Sequence, residues 1–384
     1  MQMFLGQHVV KYILGMSTMI PISRPSITDL ERHYVDQAVQ HAWNQNFYLW
    51  IDRFETQFAA WCGTNHCIAT SSATGALDIA LQTLGIGVGD EVILADTNWI
   101  ATAAPIARLG AKPVFVDVDP STYCIDPKHV ANAVTSRTRA IIATHIYGNV
   151  CDMDALCRFD LPVIEDCAEA LGSIKGNRHV GQLGDMAVFS FHHSKTMTSG
   201  EGGALVMNQK SLYDAAWQIA NHGRARGQSR QIWSQGIGVK YKMSNIEAAL
   251  ACAQLERLPE LVARRQQILA MYHKNLAVPG VRVSGQQAGI INGAWMPIAD
   301  FAYPRGFQQA AECFRQDNIE VREFFPPLSS MPMFEPASTP VAAYLHQRCI
   351  CLPCWPDMKH SDVLRVVNAV RRVLSLESLV DLEQ

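Results

Sequence analysis

The sequence predicts an α/β protein: a large domain with a mostly parallel sheet flanked by helices, then a smaller α+β domain. Three observations carry this. Short apolar runs rich in β-branched residues alternate with amphipathic stretches from about residue 75 to residue 207. That is the pattern of βα units whose parallel sheet is covered on both faces. The chain has 384 residues, 48% hydrophobic and 17% charged, an ordinary globular composition at a length suited to two domains. Beyond about Val281 the alternation gives way to Pro-rich loops and short strand-like runs.

In order, Gly75 to Leu84 reads as a helix and Glu91 to Ala95 as a strand. Ile100 to Leu109 is helical and Pro113 to Val116 a strand. Pro127 to Val134 is helical, Ala140 to Thr144 a strand, Met153 to Arg158 helical and Pro162 to Ile164 a strand. Met186 to Phe189 and Ala204 to Met207 are further strands, and helices follow at Ser211 to Asn221 and Asn245 to Leu255. Pro259 to Leu276 is expected to link to the second unit, which holds the strand-like "GAWMPIA" and a helix near Gln308 to Gln316. The expected boundaries are 1–20 for a poorly ordered N-terminal extension, 21–258 for the large domain, and 259–384 for the linker helix and small domain.

Composition excludes several classes. The net charge is -3 with no long Lys/Arg run, so no polyanion footprint is expected and nucleic acid is not a partner. Nothing approaches the roughly 18 consecutive apolar residues of a membrane span, and the N-terminus has no signal-peptide pattern. The 11 cysteines lack disulfide-like spacing, which points to reduced thiols and a cytoplasmic location. Cys349, Cys351 and Cys354 in "CICLPCWP" have no partner ligand pair, so a buried apolar turn is expected and no metal site.

The chemistry-bearing residues sit at the carboxyl ends of the expected strands, where ligands collect in such folds. "TSSATGALDIAL" sets Ser72, Ala73 and Thr74 at a helix N-terminus, where N–H groups and hydroxyls favour an anion such as phosphate; a plain N-cap is the alternative. "ADTNWIATAA" sets Trp99 past a strand end, as core or as a flat face for an aromatic cofactor. "VIEDCAEALGS" ends a strand on Glu165 and Asp166. An acid there is solvated or holds a proton on a ring nitrogen. "SFHHSKTMTSGEGG" places Lys195 among hydroxyls, histidines and glycines just past a strand. A phosphate cup, a stacking ring, an acid and a lysine are together what pyridoxal phosphate needs. Lys195 is then the residue that bonds to it, its amine made partly neutral by burial and a nearby positive charge.

On these segments, with "IPISRPSITDLE", "RFETQFA", "HIYG", "SNIEAALACAQLERL", "VREFFPPLSSMPMF" and "CLPCWP", the chain resembles the DegT/DnrJ/EryC1/StrS family of sugar aminotransferases. The resemblance runs from about Pro21 to the C-terminus. It implies the fold-type I architecture, pyridoxal 5'-phosphate as cofactor, L-glutamate as amino donor and a nucleotide-linked keto sugar as acceptor. It implies a homodimer with shared active sites. It implies that Lys195 holds the cofactor and shuttles the proton, that Asp166 pairs with the ring nitrogen, that Glu169 contacts the ring hydroxyl, and that Trp99 stacks. It implies that Ser72, Ala73, Thr74 and Ser190 bind the phosphate. In "GVKYKMSN", Lys240 stands where the family commonly has an asparagine that reaches the neighbouring subunit's phosphate. His192, Arg322 and Tyr48 are the implied substrate contacts.

"TSGEGG", "REFFPPLSSMP" and "LPCWP" look most like the branch that aminates C4 of GDP-4-keto-6-deoxymannose to give GDP-perosamine. The bulky Phe47 to Trp50 segment, where the family has a Gly/Ser-containing loop, keeps other dTDP- or UDP-linked keto sugars and cyclitol ketones as alternatives. A non-catalytic binding or regulatory protein of the same fold is a further alternative, against which the retained Lys195, Asp166 and Trp99 argue.

Overall fold

A computed structural model describes residues 19–380 except 231 and 305. Residues 1–18 of the expected extension lie outside the described residues. Ile20 does not belong to a loose tail: it is 3% exposed and bridges Ile319 of the C-terminal domain.

The large domain runs α1 (Asp29–His41), α2 (Leu49–Cys62), β1 (His66–Thr70), α3 (Ala73–Thr83), β2 (Glu91–Ala95), α4 (Ala104–Arg108) and β3 (Lys112–Val116). It continues through α5 (Pro127–Ala133), β4 (Thr138–Thr144), α6 (Met153–Leu156), β5 (Val163–Asp166), β6 (Ile174–Lys175), β7 (Arg178–His179), β8 (Met186–Ser190), β9 (Gly203–Met207) and α7 (Lys210–Ala220). Then come α8 (Asn245–Asn275), β10 (Val281–Val283), β11 (Ile290–Ile291), β12 (Ile298–Phe301) and α9 (Phe307–Arg315). β13 (Arg322–Glu323), α10 (Pro340–Arg348), β14 (Cys349–Cys351) and α11 (His360–Val380) complete the described chain.

The central sheet has the order β1-β9-β8-β5-β4-β2-β3. It is parallel throughout from β3 to β8, and β9 alone is reversed against β8 and β1. Successive strand side chains point to opposite faces. Ile141 and Phe189 pack with Phe54 and Phe58 on one side, and Ile142 and Val188 with Leu77 and Leu81 on the other. Burial on both faces is why these strands read as continuous apolar runs. A four-stranded antiparallel sheet, β10-β12-β14-β13, forms the smaller unit, with Phe301, Phe314 and Val367 in its core. Cys349 and Cys351 are in β14 and, with Cys354, are buried free thiols.

The two helices expected around Pro259 are one 31-residue helix, α8, with the proline inside it. An interior proline costs roughly 3 kcal/mol. Leu258 and Leu261, both 0% exposed, continue the buried stripe across it. Burying each is worth roughly 1.5–3 kcal/mol, enough to carry the helix through.

Glu31 fastens α1 to α8. Its carboxylate closes a capping box with Thr28 and accepts from Gln254 at 2.6 Å and Arg257 at 2.7 Å. Burial pushes the acid up, but the Thr28 and Arg257 bonds outweigh it and hold the carboxyl down at about 2 against 4.5. A depressed carboxyl stabilises above its unfolded value and loses that contribution as pH falls through its folded value. Glu31→Gln is expected to cost roughly 3 kcal/mol at pH 7. In urea denaturation the deficit should shrink by about half at pH 3 and close towards pH 2; a deficit that grows on acidification would contradict this.

Two buried aspartates bring the small unit onto the sheet. Asp96, just past β2, accepts from Ser329 N at 2.7 Å, Ser329 Oγ at 2.6 Å and the Thr339 hydroxyl. Asp117, just past β3, accepts from Val341 N and Ala342 N, both at 2.9 Å, and so caps the start of α10. These bonds hold the chain from β13 to α10 over the carboxyl ends of the parallel strands.

Candidate active site

A cavity of about 480 Å³ opens at those carboxyl ends. Ser72 follows β1, Trp99 follows β2, Asp166 ends β5, and Ser190 ends β8. Each lines the cavity, as do Ala73, Thr74, Glu169, Lys195, His192 and Arg322. Ten residues singled out from sequence thus converge on one space.

Lys195 lies in the turn after β8, where its N–H donates to His192 O at 2.9 Å. Its side chain is 14% exposed, and Nζ stands 3.7 Å from Glu169 Oε1. Burial pulls the amine below its ordinary value, while Glu169 and Asp166 pull the other way. Burial pushes Glu169 up to about 7, against the opposing pull of Lys195 and the Tyr147 N–H. Both groups therefore move towards their neutral forms. A desolvated amine beside a carboxyl that titrates near neutrality is suited to taking up and releasing a proton.

Asp166 is 5% exposed. Its Oδ2 accepts from the Thr102 hydroxyl at 2.8 Å and its Oδ1 from Ala168 N at 3.1 Å. The same Thr102 hydroxyl lies 3.1 Å from Asn98 Oδ1, which accepts from Trp99 N at 2.8 Å. Asn98 in turn donates to the Thr144 hydroxyl at 2.7 Å. The acid and the Trp99 backbone are thereby fixed relative to one another. The Trp99 ring is 58% exposed, leaving its surface available to a ligand.

Ser72 caps the 11-residue α3 by accepting from Gly75 N, and Ala73 and Thr74 form the first turn. The first N–H groups of a helix have no partner within it, and they face an anion favourably. Strand β9 runs tight against this turn: a Cβ on Gly203 would stand 2.5 Å from Ala73 N and from Ser72 C. Only glycine permits that approach.

His192 is half-buried, with Nδ1 2.9 Å from the Ser194 hydroxyl. Burial and the neighbouring His193 push its ring below the usual value. Lys240 and Tyr48 do not line this cavity. They flank a separate cleft beside α7 and the start of α8, with Lys242 Nζ 4.5 Å over the Tyr48 ring. Lys240 is carried there by the excursion between α7 and α8 and is exposed.

The cavity also takes Trp295 and Phe325 from the smaller unit, neither of which the sequence marks as a site residue. The tryptophan in "GAWMPIA" and the paired phenylalanines in "REFFPP" were the available signals. His145, Glu165 and Cys167 form a buried cluster. Glu165 already accepts from Gly181, Leu183 and Gly184 N–H groups at 2.7–2.9 Å and from His145 at 2.9 Å. A saturated carboxylate holding a loop explains this cluster better than a cation does.

A model of the DegT/DnrJ/EryC1/StrS aminotransferase family matches residues 25–371. The chain is 34% identical over 362 residues to the GDP-perosamine synthase of Escherichia coli O157:H7, covering 93% of this chain and 99% of that protein. It is 33% identical to the GDP-perosamine synthase of Vibrio cholerae, covering 92% and 98%. Among solved structures, the aminotransferase TlmJ from Streptoalloteichus hindustanus superposes with a TM-score of 0.87 at 29% identity, covering 94% of this chain and all of that one. A 3-amino-5-hydroxybenzoic acid synthase superposes with a TM-score of 0.85 at 27% identity, covering 92% and 98%.

Proposed function

Because this chain belongs to the DegT/DnrJ/EryC1/StrS aminotransferase family, we propose that it uses pyridoxal 5'-phosphate to move the amino group of L-glutamate to a nucleotide-linked keto sugar. The acceptor we favour is GDP-4-keto-6-deoxymannose, giving GDP-perosamine. The observation that carries this reading is the nearly buried Lys195 amine, facing Glu169 in the same cavity as Asp166 and the α3 N-terminus.

The residues present fit the cofactor. A helix N-terminus narrowed by Gly203 suits the phosphate, and Asp166 suits a protonated ring nitrogen. Glu169 suits the ring hydroxyl, and Trp99 offers a flat face. When bound, the cofactor supplies an aldehyde that bonds to amines and a ring that withdraws electrons from the reacting carbon. Lys195 Nζ takes the proton from the donor's α carbon and, in the second half of the cycle, returns a proton to the acceptor carbon. Asp166 keeps positive charge on the ring nitrogen. The Ser72–Thr74 turn and Ser190 hold the phosphate. His192 and Arg322 face the substrate. Two half-reactions through one site imply ping-pong kinetics.

The working unit in this reading is a homodimer with shared active sites. Lys240 faces away from its own cavity, and the excursion that carries it exposes Ile232 at 99% and Ile237 at 97%, apolar surface that a second copy would cover. Mixing inactive Lys195→Ala chains with inactive Lys240→Ala chains should restore up to about a quarter of the wild-type rate, because a hybrid dimer keeps one intact site. No recovery would refute the shared site. No helix among the described residues is long and apolar enough to cross a membrane, and the free cysteines suit a reducing cytoplasm.

The substrate is tested by supplying L-glutamate with GDP-4-keto-6-deoxymannose, its dTDP- and UDP-linked counterparts and a cyclitol ketone, and following aminated product by mass spectrometry. The GDP sugar should give the highest kcat/KM. A dTDP or UDP sugar, or the cyclitol ketone, ahead of it would replace this acceptor.

A further inference from the structure

Lys195 has a second neighbour besides Glu169. Its Nζ lies 3.7 Å from the centroid of the Trp295 ring, well inside the range of about 6 Å over which an ammonium is drawn to an aromatic face. Trp295 belongs to the smaller unit and is 2% exposed. Three contacts fix the residue, two of them on its ring. The indole N–H donates to Ser194 O at 2.8 Å, on the residue before the lysine. The Trp295 carbonyl accepts from Arg265 at 2.8 Å. The ring stacks on Tyr147 at 5.8 Å with 9° between the planes.

Arg265 completes the frame. It is 0% exposed and donates not only to Trp295 O but to Cys354 O at 2.7 Å and to Lys195 O at 3.3 Å. One buried guanidinium on α8 therefore joins the lysine turn to the strand-like segment that carries the indole. The ring and the amine are held in register from both sides.

We propose that Trp295 is the positioning residue for Lys195, giving its ammonium a seat on the indole face whenever the amine is not bonded to the cofactor. This rests on the aminotransferase reading above. In that cycle the amine takes a proton from one carbon, keeps it as an ammonium, and gives it to another. Between those events the charge lies on a side chain that is 14% exposed, and the groups that face it are Glu169, Asp166, Arg322 and His192. The carboxylates attract the ammonium from one direction. The indole face gives it a second, uncharged attraction that no proton can cancel.

The test reads the lysine itself and asks nothing of the reaction. Full-length chain, stripped of any bound cofactor with hydroxylamine, is pulse-acetylated with acetic anhydride from pH 6 to 11. The acetylated fraction at Lys195 is read by peptide mass spectrometry against exposed Lys128. In Trp295→Leu, which keeps an apolar group but removes the ring, Lys195 should titrate about one pH unit lower, a tenfold rise in its neutral fraction. In Trp295→Phe, which keeps a weaker aromatic face, it should titrate several tenths lower. A tryptophan that merely filled space would, when shortened, admit water and move the titration up. An unchanged or upward-moving titration in either folded variant overturns the proposal. If Trp295→Leu fails to fold by circular dichroism, the Phe variant decides alone. Should the protein prove to bind no pyridoxal phosphate, this titration can still be measured, so the two readings fail separately.

Discussion

Replacing Lys195 with alanine is expected to reduce the transfer rate by on the order of 10⁴-fold, the upper end of what a positioned proton carrier supplies. The reason lies in its surroundings. The amine is 14% exposed, 3.7 Å from Glu169, and burial pulls it towards its neutral form. Among the described residues, no other lysine lines the cavity. Arginine should not substitute, because a guanidinium stays protonated at any working pH. Single-turnover formation of aminated product in Lys195→Ala and Lys195→Arg would measure this. A loss below tenfold in either would remove Lys195 from the centre of the chemistry.

Asp166→Asn is the second large effect. Asparagine keeps the shape and can still accept from the Thr102 hydroxyl, now 2.8 Å from Oδ2, but it carries no charge. A carboxylate about 4 Å from a ring cation at an effective dielectric near 20 is worth about 4 kcal/mol. The expected result is a loss of about 10³-fold in kcat, with cofactor affinity much less affected because the phosphate contacts are untouched. A loss confined to cofactor affinity, with the turnover of the cofactor-saturated enzyme kept, would mean that Asp166 only anchors the cofactor.

Most of the site was legible because most of it is local. Asp166 and Ser190 end apolar runs, and Lys195 stands five residues past one, so a strand-then-polar boundary marks each of them. Ser72 to Thr74 carry the small-residue signature of a helix start. The residues that were not legible come from far along the chain. Phe325 reaches the cavity beside segments that Asp96 and Asp117 hold against β2 and β3, and Trp295 through its bonds to Ser194 and Arg265; such long-range pairings leave no periodic trace. Lys240 shows the converse: its position along the chain suggested the site, and its fold placement separates it from that site within one chain. Pro259 misled because its local cost is plain in the sequence while the burial of Leu258 and Leu261 that outweighs it is not. β1 and α11 are among the elements that the sequence pattern leaves unassigned, as are α1, α2 and α10. β1 is five residues long, with Ser71 and Ser72 directly after it, so its apolar run is brief. The apolar positions of α11 follow a run of prolines and cysteines with no clear start signal.

The central claim is that Lys195 bonds to a pyridoxal phosphate from which L-glutamate can displace it. The most direct measurement is the visible absorption spectrum of the purified protein before and after adding L-glutamate without any acceptor. A visible band that bleaches with glutamate, is absent from Lys195→Ala, and returns when a keto sugar is added is the predicted result. No band after addition of pyridoxal phosphate, or a band present unchanged in Lys195→Ala, would contradict it.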